Sequence, residues 1–434
     1  MEVSIIIFLL LTLLYIIIIF YNNKYIIPGY IISYFIWPPY IAIKFGILPS
    51  LTLDRLIFLI IIFIFFDEQL NKYSKFRIDS LIKLFILLNI IYFISLIINY
   101  NSININVSIN GLINEIINTI IFLIIVEYNL SKYKNKQQIL HSIIIASIII
   151  NIFALIELKN NSNIFQNYII TKNIYTENLK IAYRNEQYRP MGTFENSLIY
   201  GQYLVFVVII SFYIIKKYKH NIESTLKYIY IINILISIYL ITRTDSRTAI
   251  LCIIFAAIYY IIKINIKLTP IIIIFLSVIL VFTIITGILN IILYNVLFGN
   301  MEYLYSTNSR IMQIYEGFQY FIKQPLFGYG ITNASNLFTK KYYDSFYLGL
   351  ILEAGIIGFI IYLIIIYKQM LKIRKLTNNI DKIFYSIIII LFQIYNLFLA
   401  YSTNHIILYI IFIFINSDIN KLKISNYFKN YSNS

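Results

Sequence analysis

The chain is 434 residues long, 60% hydrophobic and only 12% charged, with a mean hydropathy of +0.79. A soluble domain with those proportions would lack the polar residues to cover its surface, so apolar runs long enough to cross roughly 30 Å of hydrocarbon mark a polytopic membrane protein. The formal net charge of +16 lies in short clusters between the runs and forms no continuous basic domain, which argues against nucleic acid as a partner.

In chain order, the apolar start at 3–20 has no basic stretch before it and no small-residue cleavage site, so it reads as a retained first span. Further spans are expected at 26–46, 50–66, 81–98, 111–128, 139–157, 197–215, 226–242, 247–263, 269–292, 345–367, 383–400 and 403–416. The second contains Pro28 and Trp37-Pro38-Pro39 and reads as broken or re-entrant, and the last two read as a tight hairpin. The expectation is therefore an all-α polytopic membrane protein of about 12 transmembrane helices, one integral membrane domain over residues 1–434.

Positive charge orients the spans. Lysines and arginines cluster at 72–77, 132–136, 216–227, 263–267, 368–382 and 421–429, while the alternating loops 99–110 and 401–404 carry none. From the third span onward the lysine-rich loops are read as cytoplasmic, with the C-terminus inside. Lys24 alone separates the first two spans and leaves the side of the N-terminus open. Three segments then fall on the outer face: the loop 158–196, the turn 243–247 and the large loop 293–344. They hold nearly all the arginine outside the cytoplasmic loops, and that co-location points to a site.

The first segment ends in Y-R-P-M-G-T-F-E-N-S, with Arg189 and Glu195 flanking a Pro-x-Gly turn. The second is T-R-T-D-S-R-T-A, in which Arg243 and Arg247 are four apart and would share one face of a helix, with Asp245 nearby. Arginine in a short outer turn runs against the positive-inside bias, which argues for more than flanking charge. The third carries apolar residues at helical spacing (Ile311, Ile314, Tyr315, Phe318 and Phe321), so it reads as an amphipathic helix lying on the bundle with Arg310 in its first turn. Q-P-L-F-G-Y-G should end that helix at Pro325, with Gly328 and Gly330 allowing close backbone approach. Asp344 follows at the top of the next span.

Guanidinium groups bind phosphate in two-point contact and never deprotonate, so they suit a diphosphate in a half-dry membrane mouth. A carboxylate among them can accept a proton from an attacking hydroxyl. Asp344 and Glu195 are the candidate bases, and Arg189, Arg243, Arg247 and Arg310 the candidate diphosphate ligands. His141, His220 and His405 are far apart in sequence and the single Cys252 lies in an apolar run, so no metal site, cofactor or disulfide is expected. Within the spans, Glu115 and Glu353 are the few acids; Glu353 calls for a cation in the bundle, and Gly355 and Gly358 read as helix packing.

The ordered set Arg189–Phe194, Ser246–Ala249, Arg310–Gly330 and Asp344–Gly358 resembles the O-antigen polymerase/ligase superfamily, and Ile47–Leu56 looks like the start of its third span. The resemblance implies the multi-helix fold of membrane glycosyltransferases that use lipid-linked donors (GT-C-like), in the bacterial inner membrane. It implies metal-independent transfer at the periplasmic face, with undecaprenyl-diphosphate-linked glycans as donor and acceptor and a chain-length regulator as a further partner. Its outer-face arginines map onto Arg189, Arg247 and Arg310. Ligases carry a His just before the span that follows the long loop, where this chain reads Y-Y-D-S-F-Y-L with Asp344. That departure favours a polymerase over a ligase. A lipid-linked oligosaccharide flippase is the reading from another class, and the chain shows no internal repeat to support it.

Overall fold

The computed structural model describes residues 22–39, 52–72, 79–100, 105–165, 183–184, 187–219, 222–264, 301–338, 343–400 and 403–432, together with 13, 15, 17 and 41. The expected span 269–292 and most of 3–20 lie outside the described residues, as does His220. Among the described residues, nine helices are long and apolar enough to cross a membrane, which makes this an almost wholly helical, multi-pass protein. A two-residue ladder, β1 (Tyr183–Arg184) against β2 (Gln187–Tyr188), is the one sheet among them.

α1 (Ile26–Ile36) is only 11 residues long. Trp37 is extended, at φ −84° and ψ 121°, because the ring of a following proline excludes the helical conformation from the residue before it. The expected break in the second span therefore lies at Trp37-Pro38. α2 (Leu53–Lys72), α3 (Ser80–Ile98), α4 (Ile105–Tyr133) and α5 (Lys136–Asn160) follow, α4 widening into π geometry over Ile117–Ile121. α6 (Ser197–Lys217) is the most deeply enclosed of the next group, packing against α5, α7 (Ser224–Arg243), α8 (Arg247–Ile264) and α12 (Asn379–Phe398). α9 (Met301–Lys323) and the short α10 (Ala334–Leu337) lead to α11 (Phe346–Arg374), and α13 (His405–Ser432) returns antiparallel to α12 across residues 399–404.

The lysine-bearing ends of the helices gather at one end of this bundle. There Lys136 bonds Asp418 at 2.7 Å, Lys217 bonds Asp381 at 2.6 Å, and Lys372 reaches Asn416 at 2.6 Å. The ends carrying the three arginine-bearing segments gather at the other. Thr193 Oγ1 donates to Phe35 O at 2.6 Å, Asn404 Nδ2 donates to Ile199 O at 2.9 Å, and Phe346 N–H donates to Leu399 O at 2.9 Å. Alternating spans thus sort their charges by end, as the loop pattern anticipates.

Candidate functional site

The arginine end is built around a break in α11. Gly355 takes φ 67° and ψ −171°, a conformation essentially closed to side-chain-bearing residues, and the helix opens there. The freed carbonyls are satisfied by the Gln324–Gly330 segment. Tyr329 N–H donates to Leu352 O at 2.7 Å and Gly330 N–H to Glu353 O at 3.1 Å, while Ile356 N–H donates to Pro325 O at 2.9 Å. Asn99 Nδ2, at the C-cap of α3, donates to Gly328 O at 2.9 Å. A Cβ at Gly328, itself at φ +66°, would run into the backbone at Leu352–Gly355. The close approach expected of Gly328 is therefore present. Gly355 departs from the helix-packing expectation, whereas Gly358 meets it, facing Leu88 and Ile91 of α3.

This insertion holds α9 against the head of α11. Gln313, buried on α9, accepts the backbone N–H of Asp344 at 3.1 Å, and one turn earlier Arg310 Nε lies 3.5 Å from Asp344 Oδ2. The Arg310 guanidinium also sits 5.8 Å from the ring centre of Phe398 at the end of α12. Ser345 caps α11, its side chain accepting from Leu348 N–H. Two of the sequence candidates, Arg310 and Asp344, are thus brought together from 34 residues apart in the chain.

The amphipathic helix is present but turned over. Ile311, Ile314, Tyr315 and Phe318 are all exposed, while Ser309 and Gln313 face the protein; of the expected stripe only Phe321 packs inward, against the Phe338 cluster. The expectation that the apolar stripe lies on the bundle is thereby overturned. In a bilayer the apolar stripe turns to lipid and the polar, small-residue stripe turns inward.

The other two segments meet at a second point. Arg189, buried, donates from Nε to Thr244 O at 2.8 Å, tying the Tyr188–Ser197 turn to the connection between α7 and α8. Glu157 at the end of α5 holds the same turn, accepting from Met191 N–H at 2.9 Å and Gly192 N–H at 3.1 Å. Arg243 and Arg247 do not share a helix face: α7 ends at Arg243, α8 begins at Arg247, and Asp245 between them has φ +48°. Three polar residues, Thr244, Asp245 and Ser246, in a tight turn fit better than a continuous helix where one span must reverse into the next. Arg243 is left exposed and Arg247 half-buried.

Glu195 lines a third feature, a cavity of about 200 Å³ shared with Tyr34, Trp37, Asp54, Arg55, Asn118 and Thr403. Asp54 and Arg55, from the L-D-R-L of α2, escaped the sequence reading as site residues; the resemblance over Ile47–Leu56 was the available signal. His405 also comes to this end, 5.1 Å from the Phe346 ring and 5.7 Å from Phe392. At 2% exposure among aromatic rings it is a core residue, not a base open to substrate.

Glu353 is paired differently from the expectation. No cation meets it among the described residues; its Oε1 accepts from Thr332 N–H and Tyr343 OH, both at 3.0 Å. Burial, reinforced by the Glu353 carboxylate, pushes the Tyr343 phenol well up, so it stays protonated and donates.

A family profile described as O-antigen ligase matches residues 232–363, less than a third of the chain, from α7 to the middle of α11. The stretch includes Arg243, Arg247, Arg310, Asp344 and the Gly355 break, and leaves out Arg189 and Glu195. No curated protein matches the chain. The fold and the site define a multi-pass helical membrane protein with arginines and carboxylates gathered at one end. The profile match supports the O-antigen polymerase/ligase superfamily, whose members are membrane glycosyltransferase-like enzymes of polysaccharide assembly, and it does not separate polymerase from ligase.

Proposed function

We propose that the chain polymerises oligosaccharide repeat units carried on undecaprenyl diphosphate, at the periplasmic face of the bacterial inner membrane, within a GT-C-like fold. The observation that carries this reading is the open Arg310–Asp344 pair at the head of α11, with side chains 35% and 38% exposed. A donor diphosphate entering this end would take the Arg310 guanidinium from Asp344, since phosphate offers it a bidentate partner. Arg247 and Arg189 would add to the same positive field.

The freed Asp344 carboxylate would then take the proton of the acceptor hydroxyl as that oxygen attacks the anomeric carbon. The bond from that carbon to the diphosphate oxygen breaks, and arginine stabilises the charge gathering on the leaving group. Glu195 is the competing base. Asp344 standing where ligases carry His supports polymerisation; ligation within the same superfamily is the second reading, since the matched profile is described as O-antigen ligase. Gene deletion followed by surface glycan analysis separates them. Single-repeat glycans support polymerase, whereas full-length chains stranded on the lipid carrier support ligase and sink the first reading.

A further inference from the structure

The acids inside the spans take no part in the arginine contacts above. α4 carries Asn114 and Glu115 just before the π segment Ile117–Ile121 and Asn118 within it. A π turn adds a residue to the helical repeat and rotates the side chains on either side of it, and such bulges concentrate at functional sites. Here all three polar side chains line a cavity of about 370 Å³, facing Tyr343 and Glu353. Asn118 also borders the Glu195 cavity.

Among the described residues, the side chains of Asn114, Glu115 and Asn118 make no hydrogen bond or ion pair, and nothing donates to Oε2 of Glu353. A carboxylate and two carboxamides within a span are costly without partners, and such groups mark a ligand or its path. The described lining has no Lys, Arg or His, and Tyr92, Phe346 and Tyr362 supply aromatic faces.

We propose that this cavity binds a sugar unit of the glycan and admits neutral or amino sugars in preference to acidic ones; the source of that sugar rests on the glycosyl-transfer reading above. Carboxylates and carboxamides pair with adjacent sugar hydroxyls, and the rings cover the C–H face. The volume lies in the range of small-molecule sites, whereas a bare divalent cation needs oxygens closed around it at about 2.0–2.6 Å. A uronic acid would bring a third acid into a space whose described lining holds two acids and no cation to offset the added charge. Tyr343, on the wall, directly precedes Asp344, so a sugar held here would lie beside the reacting end.

The test is saturation-transfer NMR on the full chain in phosphatidylethanolamine/phosphatidylglycerol nanodiscs. The probes are the methyl glycosides of N-acetylglucosamine, glucosamine and glucuronic acid. The first two should respond and the glucuronide should not. Glu115→Ala and Asn118→Ala should each weaken the neutral response, by about 10- to 100-fold for the charged partner, and the isosteric Glu115→Gln should admit the glucuronide. Equal response from acidic and neutral glycosides in the unaltered chain, or neutral binding unchanged in both alanine variants that still fold, overturns the proposal. Sugar binding does not depend on turnover, so loss of the transfer reading leaves this readout standing. Absent binding in a chain that still makes polymer in cells overturns the cavity assignment alone.

Discussion

The two ends of the bundle hold their charges in opposite ways. At the lysine end, Lys132, Lys136 and Lys217 lie 2.5, 2.7 and 2.6 Å from Glu68, Asp418 and Asp381. Tyr213 and Tyr385 hydroxyls add bonds of 2.6 Å to Asp381 and Asp418. The Lys136 and Asp418 side chains are only 10% and 18% exposed. At the arginine end, Arg310 and Asp344 stand 3.5 Å apart and are more than a third exposed on average. A closed, cross-linked pair is already satisfied and serves to lock α5, α6, α12 and α13 in register. An open pair can give up its partner to an incoming anion at little cost, because solvent already screens it. By exposure, the Arg310–Asp344 pair suits a docking point and the closed lysine pairs suit locks; spacing alone does not separate them, since Lys372 and Asp79 also stand 3.5 Å apart.

Substitutions can break or sharpen that contrast. The largest effect is expected for Asp344→Asn, with transfer to an acceptor in membrane vesicles falling by about 10²–10⁴-fold if Asp344 is the base. Arg310→Ala should follow with a loss of about 10²–10³-fold. Both proteins should reach the membrane in normal amounts, and normal glycan chain length in both would end the docking-point interpretation. At the other end, Lys136→Ala should lower stability by roughly 3–5 kcal/mol, read as a lower melting temperature in detergent with unchanged turnover per folded molecule. Turnover lost at unchanged melting would place chemistry at the lysine end and collapse the comparison.

Gly355→Ala is expected to cost about 1–3 kcal/mol for the backbone conformation alone, with a further penalty from the chain at Leu326–Phe327. Protease sensitivity of the Gln324–Gly330 segment should rise with it. The smallest effect is expected for Arg243→Ala. Exposed at the end of α7, it should move stability by no more than about 0.5 kcal/mol and shorten glycan chains far less than Arg247→Ala does.

Much of this protein is legible in its sequence because apolar length, proline and loop charge act locally. Nine of the expected spans recur as membrane-length helices among the described residues, the break at Trp37-Pro38 falls where two prolines demand it, and the lysine clusters and the arginine-bearing segments lie at opposite ends. Pro325 and Gly328 announce the turn that ends α9 for the same reason. What sequence periodicity does not carry is the medium outside each face. The stripe of Ile311, Ile314 and Phe318 looks the same whether it meets lipid or protein, and only the packed bundle shows it turned outward.

Tertiary structure alone decided the long-range pairings. It set Arg310 beside Asp344, Arg189 on the Thr244 carbonyl, Asp54 and Arg55 with Glu195, and Gln324–Gly330 against the opened α11. Each joins segments tens to hundreds of residues apart, and each depends on which neighbour satisfies a polar group that the bilayer cannot. Most of the candidate site residues were visible one by one; their partners were not, because hydrogen-bond satisfaction in a membrane is a property of the whole bundle.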